Sequence, residues 1–166
     1  SYLEGGLMIE NQELGKKCKA LIDKLGNYKT VLHGDFHTGN VFLLKGEPLL
    51  IDMGRVSQGH PIAEISDVYY FYVSLGLDDP TNVEKFMGFS YATSKRYFEL
   101  FLSQYMNTDD EIILNEITEK AAILCYIRLI NKYHKKGKPT AFEQKRISEF
   151  IEKITSLLEK YDTLEF

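Results

Sequence analysis

Val31-Leu32-His33-Gly34-Asp35-Phe36-His37-Thr38-Gly39-Asn40 runs directly into Val41-Phe42-Leu43-Leu44. After Lys45-Gly46-Glu47-Pro48 the chain continues Leu49-Leu50-Ile51-Asp52-Met53-Gly54. The two short apolar runs read as buried strands joined by the Lys45–Pro48 turn. A polar loop precedes the first strand and an Asp closes the second. One Asp and one Asn therefore project from a loop before a hairpin, and a second Asp projects from its far end.

That arrangement suits phosphoryl transfer. Such chemistry needs little covalent help: a Mg²⁺ ion to neutralise charge, and a carboxylate to orient the attacking hydroxyl and take its proton. Mg²⁺ prefers oxygen ligands and takes only one or two carboxylates beside phosphates and waters. The spacing Asp35-x-x-x-x-Asn40 matches the kinase catalytic loop H-R-D-x-x-x-x-N, with Gly34 where protein kinases carry Arg, and Asp52-Met53-Gly54 sits where D-F-G would be.

With HGDFHTGN followed by IDMGR, the chain resembles the aminoglycoside phosphotransferase / choline kinase-like family, often described simply as the phosphotransferase enzyme family. Gly59-His60-Pro61 and Glu64-Ile65-Ser66 resemble that family's Gly-Asp-Pro and Asp-Leu-Ala elements, with substitutions. The resemblance implies an α+β, mainly helical fold, the C-terminal lobe of a protein-kinase-like enzyme with a small β-hairpin at the catalytic loop. It implies ATP as co-substrate, Mg²⁺, and the hydroxyl of a small molecule as acceptor. Asp35 would be the catalytic base, and Asn40 and Asp52 would hold the metal and, through it, the nucleotide. His33 would brace the loop, and Gly34 would serve its backbone. His37 would shape the loop or edge the substrate, since a lone imidazole suits softer metals. Apart from the resemblance, Arg55 is an alternative partner for Asp52, which would then be merely structural and not a metal ligand; Glu64 would hydrogen-bond back to the loop. Glu for Asp at position 64 lengthens that side chain. Gly34 in place of the protein-kinase Arg removes the residue that commonly reads a phosphorylated activation loop.

The family's nucleotide-holding N-lobe is expected to be absent. No G-x-G-x-x-G, V-A-I-K or G-x-x-x-x-G-K-[ST] pattern occurs, and only about thirty residues precede His33. Tyr2-Leu3-Glu4-Gly5-Gly6 looks a little like the hinge between kinase lobes, although a frayed start is the plainer reading. The expectation is one domain over residues 1–166, with loop and hairpin at 31–55 and a helical part at 61–161. A lobe of this kind would be inactive by itself, and its uncovered surface would favour self-association. Two other readings stand beside the small-molecule kinase. One is a non-catalytic remnant or binding module that keeps the motif. The other is a metallophosphoesterase, prompted by Gly34-Asp35-Phe36-His37, which would need further His and Asp ligands.

Composition fits these readings. The 166 residues, 44% hydrophobic and 27% charged, are ordinary for a globular chain able to bury a core. The net charge of −4 and the lack of a basic stripe exclude nucleic acid as the main partner and are compatible with a cationic acceptor. The longest apolar run, Val68 to Leu77, is far short of a membrane span, so no membrane partner is expected. Cys18 and Cys125 lie in helix-like stretches and read as buried, reduced thiols of a cytoplasmic protein.

Helical periodicity covers residues 10 to 25, with Gly26-Asn27 as its C-cap. A second helix opens at Pro61 and is apolar on every face, which predicts burial. Further helices are predicted over 91–106, over 110–134 up to Gly137-Lys138-Pro139, and from Thr140 to about Tyr161. Thr140 and Glu143 there form a capping box. Asp109, Asp110, Glu111, Glu116 and Glu119 are candidates for binding an amine.

Overall fold

The computed structural model describes residues 5–166. The expected hinge at residues 2–6 lies mostly outside the described residues. The architecture is α+β and mainly helical, with two separate two-stranded antiparallel sheets. Contacts group into two compact units. One holds the chain through Gly26 together with Glu119–Phe166; the other is Asn27–Thr118.

The first unit is helical. α1 (Gly6–Glu10) and α2 (Gln12–Lys24) replace the single helix expected from residue 10. The break is at Asn11, whose extended backbone lets its side chain accept from the Leu14 N–H and cap α2. Capping chemistry overrides periodicity there. The expected Gly26-Asn27 cap does not form, because α2 ends at Lys24 and Leu25 is already extended. α6 (Glu111–Lys135) contributes to both units, and α7 (Ala141–Lys160) starts with the predicted Thr140–Glu143 capping box. Leu7, Leu14, Cys18, Ile123, Ile127, Ile130, Ile147, Phe150 and Ile154 form this unit's core. Both cysteines are buried free thiols.

The second unit carries the loop. β1 (Val31–Leu32) pairs with β4 (Ser57–Gln58), a two-rung bridge too short to leave a sequence pattern. β2 (Val41–Leu44) pairs with β3 (Glu47–Leu50), Val41 opposite Leu50 and Leu44 opposite Glu47. The turn is two residues, not four. Lys45 and Gly46 take φ of 53° and 89°, the twin left-handed geometry that matches strand twist in a tight hairpin. The hairpin is not buried as the sequence predicts: Phe42, Leu43 and Leu44 are 54%, 76% and 60% exposed, and Leu49, Leu50 and Ile51 are exposed as well. An unbroken apolar run reads the same whether its faces are covered or open, and a two-stranded ribbon cannot cover either face itself.

α3 (Ile62–Tyr72) follows Pro61 and is buried on all sides, as its composition dictates; Ile62, Ile65, Val68, Tyr69 and Tyr72 are in the core. α4 (Thr81–Met87) was not foreseen, since it is short and buries only Val83. α5 (Tyr91–Met106) keeps its predicted bounds and is capped by Ser90. Phe98, Leu102 and Ile117 complete this core. None of the described helices is long and apolar enough to cross a membrane.

Candidate active site

The His33–Asn40 loop hangs from α3. Glu64, in its first turn and 7% exposed, turns Oε2 to the loop. There it accepts the His33 N–H at 2.5 Å and the Gly34 N–H at 3.1 Å. The longer side chain thus makes the contact expected of the family's Asp. Gly34 takes φ +76°, and a Cβ there would stand 2.7 Å from the Arg55 carbonyl oxygen, so both its conformation and its surroundings demand glycine.

His33 is buried. Its Nε2 donates to the Ile51 carbonyl at 2.9 Å, which fixes the tautomer and leaves Nδ1 without a partner among the described residues. Ile51 in turn donates its N–H to the Asn40 carbonyl at 3.0 Å. This extends the β2–β3 register by one rung and puts Asn40 and Asp52 at the same end of the hairpin. The Asn40 side chain closes the loop on itself, its Nδ2 donating to the Asp35 carbonyl at 2.9 Å. The two motif residues five apart are therefore tied directly to each other.

Residues 38–40 form a 3-10 turn capped by His37, whose Nδ1 accepts the Gly39 N–H at 3.1 Å. The His37 ring packs against Phe71 and Phe86 at 4.9 and 5.5 Å. Both contacts hold the imidazole within the packing of the loop. On the other side Phe36 meets Phe101 at 5.7 Å, and Phe101 stacks on Tyr105. Burial, and secondarily the Glu64 carboxylate, push the Tyr105 phenol above its ordinary range.

Two expectations change here. Asp52 is not a buried strand-end charge: it is exposed, beyond the last residue of β3. It makes no hydrogen bond or ion pair among the described residues. Its backbone is left-handed, φ 57° and ψ 56°, a conformation that non-glycine residues seldom adopt and Asp tolerates better than most. And Arg55 does not pair with Asp52. Its guanidinium lies 3.7 Å from Asp35 Oδ1, with the Asp35 side chain 20% exposed and that of Arg55 66% exposed. The 3-10 turn Met53–Arg55 swings the arginine back toward the loop instead of along the strand.

His60 stands where the family's Gly-Asp-Pro has Asp. It is buried, and its Nδ1 accepts the Ile62 N–H at 3.1 Å at the head of α3. An imidazole nitrogen does there what a carboxylate oxygen can do at a helix start. Three of the five acidic residues considered for amine binding have these local partners. Asp110 caps α6 through the Ile112 and Ile113 N–H groups, and Asp109 accepts from Ser103. Glu119, in the other unit, takes Lys160 and Tyr161. Among the described residues no three His, Cys, Asp or Glu side chains converge as a metal-binding group.

Sequence reasoning missed the task of Tyr72, one of the residues of the all-round apolar helix after Pro61. Its hydroxyl accepts the Thr38 N–H at 2.8 Å. No sequence signal separates such a tyrosine from one that merely packs.

The model of the phosphotransferase enzyme family matches residues 10–93, just over half of the chain, and the match takes in the whole loop, the hairpin and α3. No curated protein and no solved structure matches it.

Proposed function

This chain belongs to the phosphotransferase enzyme family, and we propose that it carries the site at which an ATP- and Mg²⁺-dependent enzyme phosphorylates the hydroxyl of a small molecule. The fold is read accordingly as the C-terminal lobe of a kinase-like enzyme. One observation carries the reading: the hairpin register brings Asn40 and Asp52 to one end of the ribbon, while the Asn40 amide grips the Asp35 backbone. Base and metal donors are set by one short piece of chain.

The donor set fits Mg²⁺. Asn40 commits Nδ2 to the Asp35 carbonyl and has Oδ1 to offer. Asp52 is exposed and has no partner among the described residues. An amide oxygen and one carboxylate are hard donors in the small number that Mg²⁺ takes from protein when phosphates and water supply the rest. Bound there, Mg²⁺ would neutralise charge on the nucleotide phosphates.

The residues of the chain do the rest. Asp35, half-buried on a loop tethered at both ends, holds the acceptor hydroxyl in line and accepts its proton. Glu64 and His33 keep that loop from drifting. Arg55, exposed and only loosely paired with Asp35, contributes little to stability, and its charge beside Asp35 would favour a transferring phosphoryl group.

Calorimetric titration of the chain with ATP, with and without Mg²⁺, tests this. The expected result is binding that requires the cation and disappears in Asp52→Ala and Asn40→Ala. Cation-dependent binding that survives both substitutions refutes the assigned ligands. Absence of any nucleotide binding by the wild-type chain counts against the site as drawn.

A further inference from the structure

Tyr72 is 0% exposed at the C-terminal end of α3. A phenylalanine would fill the same volume, and a buried hydroxyl costs free energy unless it is bonded. Its oxygen accepts the Thr38 N–H, 34 residues earlier in sequence, at 2.8 Å. That N–H belongs to the first residue of the 3-10 turn, one of the donors a helix start cannot satisfy internally. The other N–H groups of the turn stay within the loop: Gly39 donates to His37 Nδ1 and Asn40 to the His37 carbonyl. Beside it, Thr38 Oγ1 makes a weak 3.7 Å contact with Met87 Sδ, and the ring of the capping His37 packs on Phe71 and Phe86; among the described residues the Tyr72 bond is the one that holds a backbone N–H of this turn to a helix.

Tyr72 is itself held. Its ring stacks on Tyr97 at 4.3 Å, and its carbonyl accepts from Ser94 Oγ at 2.7 Å, both partners on α5. Burial first, and then the neighbouring Tyr72 hydroxyl, push the Tyr97 phenol up to about 12. Glu64 grips the start of the loop and Tyr72 its end, eight positions apart on one rigid helix, or about 12 Å along its axis at 1.5 Å per residue. Asp35 is suspended between the two anchors.

From this geometry, and resting on the phosphotransferase reading above, we propose that Tyr72 is a positioning residue. Through the Thr38 amide it sets the Thr38–Asn40 turn, and so the place at which Asn40 presents its oxygen to a divalent cation. Outer partners of this kind commonly tune metal affinity about 10- to 100-fold.

The test uses Mn²⁺ as the probe, with the affinity of the chain for Mn²⁺·ATP read from water-proton relaxation and the melting temperature taken in parallel. Tyr72→Phe keeps the ring and removes only the hydroxyl. It should weaken Mn²⁺·ATP binding by about 10-fold or more. Thr38→Pro removes the same bond from the donor side, at a first helical position where proline is tolerated. The double variant should bind no worse than Tyr72→Phe alone, since the proline leaves no orphaned N–H. A Tyr72→Phe chain that melts lower but binds Mn²⁺·ATP like wild type overturns the proposal and leaves the phosphotransferase reading standing. Additive losses in the double variant also overturn it. A wild-type chain that takes up no Mn²⁺·ATP, as Asp52→Ala is expected to do, overturns the metal site and this inference with it.

Discussion

Replacing Glu64 should loosen the site from behind. Its Oε2 accepts two backbone N–H groups, at 2.5 and 3.1 Å, and the side chain is 7% exposed, so water cannot substitute for it. A hydrogen bond to a charged acceptor is worth about 1.5–3 kcal/mol, and deleting the acceptor leaves the donors unsatisfied. Glu64→Ala should therefore cost roughly 3–5 kcal/mol. At about 2–4 °C per kcal/mol for a chain of this length, the melting temperature should fall by roughly 10 °C. Glu64→Gln keeps an oxygen in place and loses only the charge, for about half that cost. Glu64→Asp retracts the carboxylate by one methylene, about 1.5 Å, and should resemble the alanine variant even though aspartate is what the family motif carries. Thermal and urea unfolding followed by circular dichroism measure the ranking. Amide exchange at His33 and Gly34 reads the two bonds directly. Alanine within about 1 °C of wild type, or an aspartate variant with full protection at both amides, would refute the reasoning.

Other expectations follow from single contacts. Gly34→Ala places a methyl 2.7 Å from the Arg55 carbonyl on a φ +76° backbone; it should cost about 1–3 kcal/mol in urea unfolding, and a neutral outcome would mean the loop can move aside. Burial pushes the Cys18 thiol up to about 12, so the native state holds its proton longer than the unfolded chain. The resulting stability is complete below the ordinary thiol range and is lost as pH rises through it toward 12. Unfolding between pH 8 and 11 should show that loss (roughly the span above the free-thiol pKa), and Cys18→Ala should flatten it. Alkylation of native Cys18 at about pH 8 should track unfolding and nothing faster.

The sequence was most readable where one signal had one structural meaning. Tyr91–Met106 repeats apolar residues on a helical period, and Thr140 with Glu143 is a reciprocal cap; both appear as expected. The Asp35–Asn40 spacing and the apolar runs after it placed the hairpin; its register, which sets Asn40 beside the residue that precedes Asp52, follows from the two-residue turn at Lys45–Gly46, which the sequence reads as four residues. Other features carry no local signal. Val31–Leu32 with Ser57–Gln58 is two residues against two, joined across the whole hairpin. α4 has a single buried side chain, too few for a period. Asn11 splits a continuous apolar stripe because its side chain bonds Leu14 more favourably than the helix can use it. The exposure of Phe42 to Leu44 depends on what lies outside the ribbon, which no strand pattern records. The tasks of Glu64, Arg55 and Tyr72 depend on reach across 20 to 34 residues; only the family resemblance suggested the first, and nothing suggested the last.

The backbone at Asp52 narrows what evolution or an engineer can place there. A left-handed residue filters its occupants by shape before chemistry is consulted. Glutamate, the usual charge-preserving exchange, meets the oxygen requirement and fails the conformational one; glycine does the reverse. Asparagine alone among neutral replacements is at ease in the conformation while keeping an oxygen at the same reach. The position should therefore look nearly invariant in a saturation library scored for folding alone, with Asn, Gly and Asp surviving and β-branched residues lost first. Its apparent importance in such a screen would owe as much to one pair of torsion angles as to the charge it carries.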